Sequence, residues 1–275
     1  MKNILIVARK EIQEGLRNRW VLATTLLLAA LALSLTFLGS APTGNVGAGA
    51  LDVVIVSLSS LTIFLVPLIA LLISHDAIVG EMERGTMLLL LSYPIGRWQV
   101  ILGKFIGHLA ILSFATLLGY GAAAAALAAM GVPIDTASWI AFVSMILTSI
   151  LLGAVFIAIG YLVSALVAER GTASGIAIGV WLLFVLIYDM ALLGVLVVDQ
   201  GRMIGGGLLS ALLLANPTDA YRLLNLGSVS VGSLSGMGGV ADNAALGPAA
   251  LIAALFGWAL APLAAAAVVF SRREL

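Results

Sequence analysis

Cysteine is absent from the 275 residues, and histidine occurs only twice, as His75 and His108. The first absence excludes disulfides, thiolate metal sites and a cysteine nucleophile, and the second excludes a histidine-rich metal site within one chain. Charge is equally scarce: Asp, Glu, Lys and Arg make up 9% of the chain, where soluble domains carry about a quarter. Thirteen cations balance thirteen anions, so no clustered basic surface exists to track nucleic-acid phosphates. A phosphate-binding loop of the form G-x-x-x-x-G-K-[ST] is also missing, since Gly205-Gly206-Gly207 lacks both the lysine and the preceding strand. ATP hydrolysis therefore belongs elsewhere, and no catalytic, cofactor-binding or metal-ligating residue is assigned to this chain. What fills the space left by charge is apolar: 62% of residues are hydrophobic and the mean hydropathy is +1.19. The expectation is an all-α integral membrane protein of one domain, residues 1–275, with little chain left for a soluble catalytic unit.

Six apolar runs are long enough to span, at 20–38, 53–74, 101–130, 139–167, 172–198 and 249–270. Pro67 sits inside the second and is a candidate kink. Ahead of the first, residues 1–19 repeat at helical spacing. Leu5, Ala8, Ile12 and Leu16 form one stripe, while Arg9, Lys10, Glu14 and Arg17 face elsewhere. With Glu11 among its polar residues, this reads as an amphipathic helix lying in the membrane interface against lipid. A cleaved signal peptide is the competing reading, opposed by the long, periodic basic region and by an apolar run of spanning length. If six spans alternate, eleven of the thirteen cations fall on one side and only Arg202 and Arg222 on the other. By the positive-inside rule both termini are cytoplasmic, as is the interval 75–97.

That interval is the longest in the first half that a bilayer core would reject, because Asp76, Glu81, Glu83, Arg84 and Arg97 stand between two apolar runs. Glu81, Glu83 and Arg84 lie within one helical turn between Gly80 and Gly85, so they are expected to project together from a short helix toward a soluble partner; an ordinary solvated loop is the alternative. On the far side, residues 199–248 hold an apolar stretch, 208–215, too short to span and so re-entrant or interfacial. Asn216, Pro217, Asp219, Tyr221 and Arg222 follow it, a polar density that reads either as an outer docking surface or as a connecting loop. Gly171, Gly175 and Gly179 share one face of the fifth span, a spacing for close helix approach either within one subunit or across a dimer. Asp189, near the outer end of that span, pairs with Arg202 or Arg222 or serves transport. Lys104 and His108 share a face of the third span, where snorkelling accounts for Lys104.

The string Gly80-Glu81-Met82-Glu83-Arg84-Gly85-Thr86, then Leu88 to Leu91, Ser92-Tyr93-Pro94 and Gly103-Lys104-Phe105, resembles the cytoplasmic coupling region of ABC-2 type permeases, the membrane subunits of a class of ABC transporters. Further landmarks occur in order over most of the chain: Ala8-Arg9-Lys10-Glu11, Gly15 to Trp20, Asp76 to Glu81, Leu102 to His108, and Asn216-Pro217-Thr218-Asp219 with Tyr221-Arg222. The resemblance implies a type V exporter-like transmembrane domain in the bacterial inner membrane, assembled as a homodimer. It implies two copies of a separate ATPase, holding ATP and Mg, docked on Asp76, Gly80, Glu81, Glu83, Arg84, Gly85 and Thr86. It also implies a periplasmic partner protein above. A stand-alone secondary transporter or channel is the alternative class, opposed by the near absence of midplane charge. An intramembrane enzyme would need clustered nucleophiles or ligands that the composition does not supply.

Overall fold

A helix that is apolar all round has no face to offer water and belongs at the centre of a bundle. In the computed structural model, which describes residues 2–17, 19–39, 50–131, 134–199, 205–227 and 246–273, that helix is α7, Thr136–Leu166. From Leu152 to Ala158 every residue of α7 is buried. Around it pack α3 (Ala50–Ser74), α12 (Pro248–Arg272) and α6 (Arg97–Ala129), and α2 (Arg19–Gly39) lies on α6 from outside. The amphipathic α1 (Lys2–Arg17) also rests on α6, and its axis departs by 68° from that of residues 21–37. No strand occurs among the described residues.

Among the described residues five helices are long and apolar enough to cross a membrane, or six if the bent α1–α2 pair counts as one span. The spans expected from hydropathy are found within four residues at each end, and α3 runs on through Pro67 without a break. Two features were invisible to hydropathy. The interval between the second and third spans is built as two short helices, α4 (Val79–Glu83) and α5 (Thr86–Leu91), separated by Gly85, whose φ of 69° turns the chain where a side chain would be strained. The fifth span is not one α-helix. It runs α8 (Arg170–Leu182), a π-helical turn (Leu183–Ile187), then α9 (Tyr188–Asp199).

The π turn explains how α10 (Gly206–Leu214) and α11 (Pro217–Leu226) are held. Widening the helix releases a carbonyl from its own ladder, and a released carbonyl in an apolar bundle must find another donor. The Phe184 carbonyl accepts from Asn216 Nδ2 at 3.0 Å and from Thr218 Oγ1 at 2.9 Å. Asn216 Oδ1 in turn caps α11 by accepting from the Thr218 N–H, and Pro217 takes the first helical position. Deeper along α11, Tyr221 meets the Ser149 hydroxyl at 2.9 Å, and Asn225 accepts from Thr148 on α7. Leu208 to Ala215, expected as a re-entrant or interfacial piece, thus lies in α10 and its C-terminal cap, part of a helical pair packed against the bundle.

Burial is uneven around the six spans. Of the apolar window in the α8–α9 span only 6% is buried within the chain, against 61% for α7. The fifth span is the outermost rib.

Candidate functional site

The charged residues expected on one side do gather at one end of the bundle, but they are turned inward more than the sequence implies. The face of α1 that packs is Ile4, Val7, Ala8 and Glu11, at i, i+3, i+4 and i+7, while Leu5, Ile6 and Leu16 are exposed. The expected stripe of Leu5, Ala8, Ile12 and Leu16 is therefore rotated, and the only member that is buried is Ala8. The cause lies on α6. A Cβ at Gly103 would stand 2.9 Å from the Ile4 carbonyl oxygen, and one at Gly107 would stand 2.5 Å from Glu11 Cβ. Two missing side chains one turn apart make a groove, and α1 lies in it. Arg9, Lys10 and Arg17 stay on the exposed side.

Between those glycines stands Lys104, 3% exposed. Its Nζ donates to Glu11 Oε1 at 2.6 Å and lies 2.8 Å from Glu81 Oε1. Lysine does not snorkel here, because two carboxylates meet it inside the fold. Glu81 is 6% exposed and also takes Lys10 at 3.4 Å, while Lys10 reaches Glu14 one turn on. His108 Nε2 lies 3.4 Å from Glu11 Oε2 and its Nδ1 meets the Tyr161 hydroxyl at 2.9 Å. Burial alone would push the Glu11 carboxyl up, but the His108 hydrogen bond and the Lys104 charge outweigh it and hold it down at about 2. Burial also opposes the charge on Lys10, yet Glu81, Glu11 and Glu14 together raise its pKa.

The short helix α4 is tied on every side. The Ser164 hydroxyl of α7 accepts from the N–H groups of Ile78 and Val79, both at 3.0 Å, so a helix start without a side-chain cap of its own borrows one from a neighbour. Asp76 accepts from Arg170 Nη2 at 2.8 Å, and Glu83 Oε1 accepts from the Arg170 N–H at 2.7 Å, capping the start of α8. Gly80 is buried where a Cβ would press on Arg170 Nε and Asp76 Oδ2. The expectation that Glu81, Glu83 and Arg84 project together is corrected. Glu81 points to Lys104 because α1 and α6 offer the cations that stabilise its charge, and only Glu83, Arg84, Gly85 and Thr86 remain exposed. Apolar side chains continue that outer edge: Leu88, Leu89, Tyr93 and Trp98 are all more than half exposed. The same end is tied off by arginines. Arg97 donates to the carbonyls of Phe270, Ser271 and Arg273, and Arg273 donates to those of Ala165 and Val167. Carbonyls at the ends of α12 and α7 thereby gain donors.

At the opposite end the residues expected on an outer docking surface are interior. Asn216, Pro217, Asp219 and Tyr221 are buried, and Arg222 spans from Asp219 Oδ1 at 2.7 Å to Asp189 Oδ2. Their polarity serves the fold: Asn216 meets the π turn, Tyr221 meets α7, Arg222 meets α9, and Asp219 is held by Asn216 and Arg222. Of the two pairings expected for Asp189, the one with Arg222 forms; Arg202 lies outside the described residues, as does the glycine- and serine-rich tract from 228 onward. Gly171, Gly175 and Gly179 have nothing within 4 Å of a built Cβ, so they mediate no packing among the described residues. Sequence reasoning missed Gly103 and Gly107 as the packing glycines. The available signal was the pair at i, i+4 flanking Lys104, opposite a glutamate set in the apolar stripe of α1.

No group of three or more Asp, Glu or His side chains suited to a metal ion occurs among the described residues. The arrangement is thus an ion-paired joint with an exposed edge. A family model described as ABC-2 family transporter protein matches residues 5–275. The chain is 46% identical over 276 residues, covering 100% of both, to a Pseudomonas aeruginosa protein named "Probable ABC transporter permease protein NosY". It is 48% identical over 277 residues, covering 99% of each, to a Stutzerimonas stutzeri protein of the same name. With a family match over almost its full length and two such relatives aligned end to end, the chain belongs to the ABC-2 family, as the multi-pass permease subunit of an ABC transporter.

Proposed function

We propose that this permease is a homodimeric mechanical coupler, driven by two copies of a NosF-like ATPase on its charged end and acting on a periplasmic NosD-like protein during copper-site maturation of nitrous oxide reductase. In this reading the charged end and both termini face the cytoplasm of a bacterial inner membrane. ATP and Mg are bound by the partner, and the chain itself is non-catalytic.

The observation that carries the reading is the two-sidedness of the α4–α5 segment. Its outer edge offers Arg84, Thr86, Leu88 and Leu89 to a soluble partner, while its root, through Asp76 and Glu81, is ion-paired to α8, α6 and α1. A displacement imposed on the edge is delivered at once to helices that reach the far side of the membrane. The dimer contact is assigned to the α8–α9 rib, where Gly171, Gly175 and Gly179 form an unoccupied small-residue face. The outer partner senses movement of α11; the side chains of Asn216, Asp219 and Tyr221, being interior, do not touch it. Internal pairing of Asp189 with Arg222 favours transmission over a stand-alone secondary transporter, which would keep exchangeable charges at that depth.

The test is co-purification with the ATPase, followed by an ATPase assay. Arg84→Glu and Leu89→Asp on the outer edge are expected to abolish retention of the ATPase while the permease keeps its elution volume. Retention unchanged in both variants would move the docking site elsewhere, and full activity of the purified permease with no ATPase present would replace coupling by autonomous transport.

A further inference from the structure

We propose that the cavity at the charged end is a seat for the headgroup of an aminophospholipid. A cavity of about 560 Å³ lies among α1, α2, α3, α4, α6 and α8. Its walls divide by chemistry. Val21 on α2 and Ile69 and Leu72 on α3 make an apolar side, and Leu72, 41% exposed, sits where acyl chains would leave it. The other side is ionic, and almost all of it is already satisfied: Lys104 holds Glu11 and Glu81, Lys10 holds Glu14, and Arg170 holds Asp76.

Two groups are left over. Glu81 is 6% exposed and its Oε1 takes both lysines, yet its Oε2 has no hydrogen-bond partner. Arg84, which lines the same cavity, forms no ion pair among the described residues. One unmet carboxylate oxygen and one unpaired guanidinium, beside an apolar wall that ends in the exposed Leu72, match a zwitterionic amphiphile. Its ammonium meets Glu81 Oε2, its phosphate meets Arg84, and its chains lie over Leu72. A buried carboxylate oxygen without a donor costs free energy comparable to a lost hydrogen bond, so the ligand must bring an N–H. Phosphatidylethanolamine carries three; phosphatidylcholine carries none. The site shares Glu81 and Arg84 with the coupling reading, but lipid retention is read on the permease purified without its ATPase, so the two readings fail separately.

The experiment uses the full chain, extracted from vesicles containing equal parts of phosphatidylethanolamine, phosphatidylcholine and phosphatidylglycerol, with retained lipid identified by native mass spectrometry. Retention of phosphatidylethanolamine over phosphatidylcholine by about tenfold or more is expected, the worth of one charge-assisted hydrogen bond. Glu81→Gln should bring the ratio close to one, and Arg84→Ala should weaken both lipids alike. Because Glu81 also holds the ion pairs of α1, Leu72→Trp provides a variant that leaves every charge in place. It should lower retention of all three lipids with no change in the melting temperature measured without added lipid. Equal retention of the two zwitterions, or a preference that survives Glu81→Gln, overturns the proposal. Displacement of bound lipid by soluble phosphoethanolamine at matching concentration overturns the lipid as the source of the headgroup.

Discussion

Two places in this molecule use one cation to hold two carboxylates, and they are built differently. At the charged end Lys104 joins Glu11 of α1 to Glu81 of α4, with Lys10 and His108 in support. At the other, Arg222 joins Asp219 of its own helix to Asp189 of α9, through separate nitrogens of one guanidinium. A lysine ammonium is a point charge on a flexible stem, so its partners can slide around it without losing it; a guanidinium fork fixes the plane and direction of both. The first is a joint and the second a clamp. The placement fits their surroundings. The joint connects the amphipathic α1 and a two-turn segment that carries an exposed edge, whereas the clamp binds the α10–α11 pair beside a π turn, where a loose carbonyl or acid would face an apolar interior.

The comparison breaks first at Lys104. Lys104→Ala leaves Glu11 with only His108 and Glu81 with only the longer contact to Lys10, and stripping the central cation from a buried set costs about 3–5 kcal/mol. Because Gly103 and Gly107 still favour contact, α1 should loosen rather than the bundle dissolve. Faster tryptic cleavage at Arg9 and Arg17 in detergent, with the remaining chain resistant, is the expected record. Uniform cleavage throughout would show that Lys104 holds the core and not a joint. Arg222→Ala should cost less, about 2–3 kcal/mol, since the two carboxylates it leaves can share one proton. Arg222→Lys sharpens the distinction: a clamp loses most of that amount with lysine, while a mere charge pair keeps it, and the difference is readable in the melting temperature.

How the helices lie was legible; how the charges face was not. The fourth span was expected at 139–167 and is found as Thr136–Leu166, because a continuous apolar run has one physical solution in a bilayer. Glu81 and Glu83 are two residues apart on one short helix, and nothing within that helix says which turns inward. The decision is made by Lys104, 23 positions downstream of Glu81, and Lys104 faces α1 only because Gly103 and Gly107 let α1 approach. A long-range choice of this kind leaves a trace in sequence only if the glutamate at the i+7 position of the α1 stripe is read as a packed residue. The same holds at α11, where Asn216 and Arg222 look solvated until the π turn supplies the Phe184 carbonyl and α9 supplies Asp189.

Two glycine pairs extend the comparison at smaller amplitude. Gly107→Leu drives a side chain into Glu11 and the Ala8 carbonyl and should cost about 1–3 kcal/mol of overpacking. Gly175→Leu meets nothing within 4 Å in its own chain, so the monomer's melting temperature should not move. A fall in the dimer fraction on size-exclusion chromatography, with that temperature unchanged, would place the Gly175 face between subunits, whereas a destabilised monomer would place it inside.

The smallest effect is the pH response of the joint, and its sign follows from Glu11. The folded carboxyl is held down at about 2, below an ordinary glutamate near 4.5. The stabilisation it gives is complete above the ordinary value and is lost as pH falls from there toward 2. Between pH 7 and 5 the attachment of α1 should not change. By pH 4 the unfolded carboxyl is mostly protonated and the folded one is not, a difference of roughly 1 kcal/mol. Amide exchange over residues 2–17 should therefore accelerate several-fold between pH 5 and 4 beyond the intrinsic chemical trend. In Glu11→Gln, where there is no charge to titrate, the excess should vanish. An excess that persists in Glu11→Gln would show that the response does not come from Glu11 and leave the joint without its titrating member.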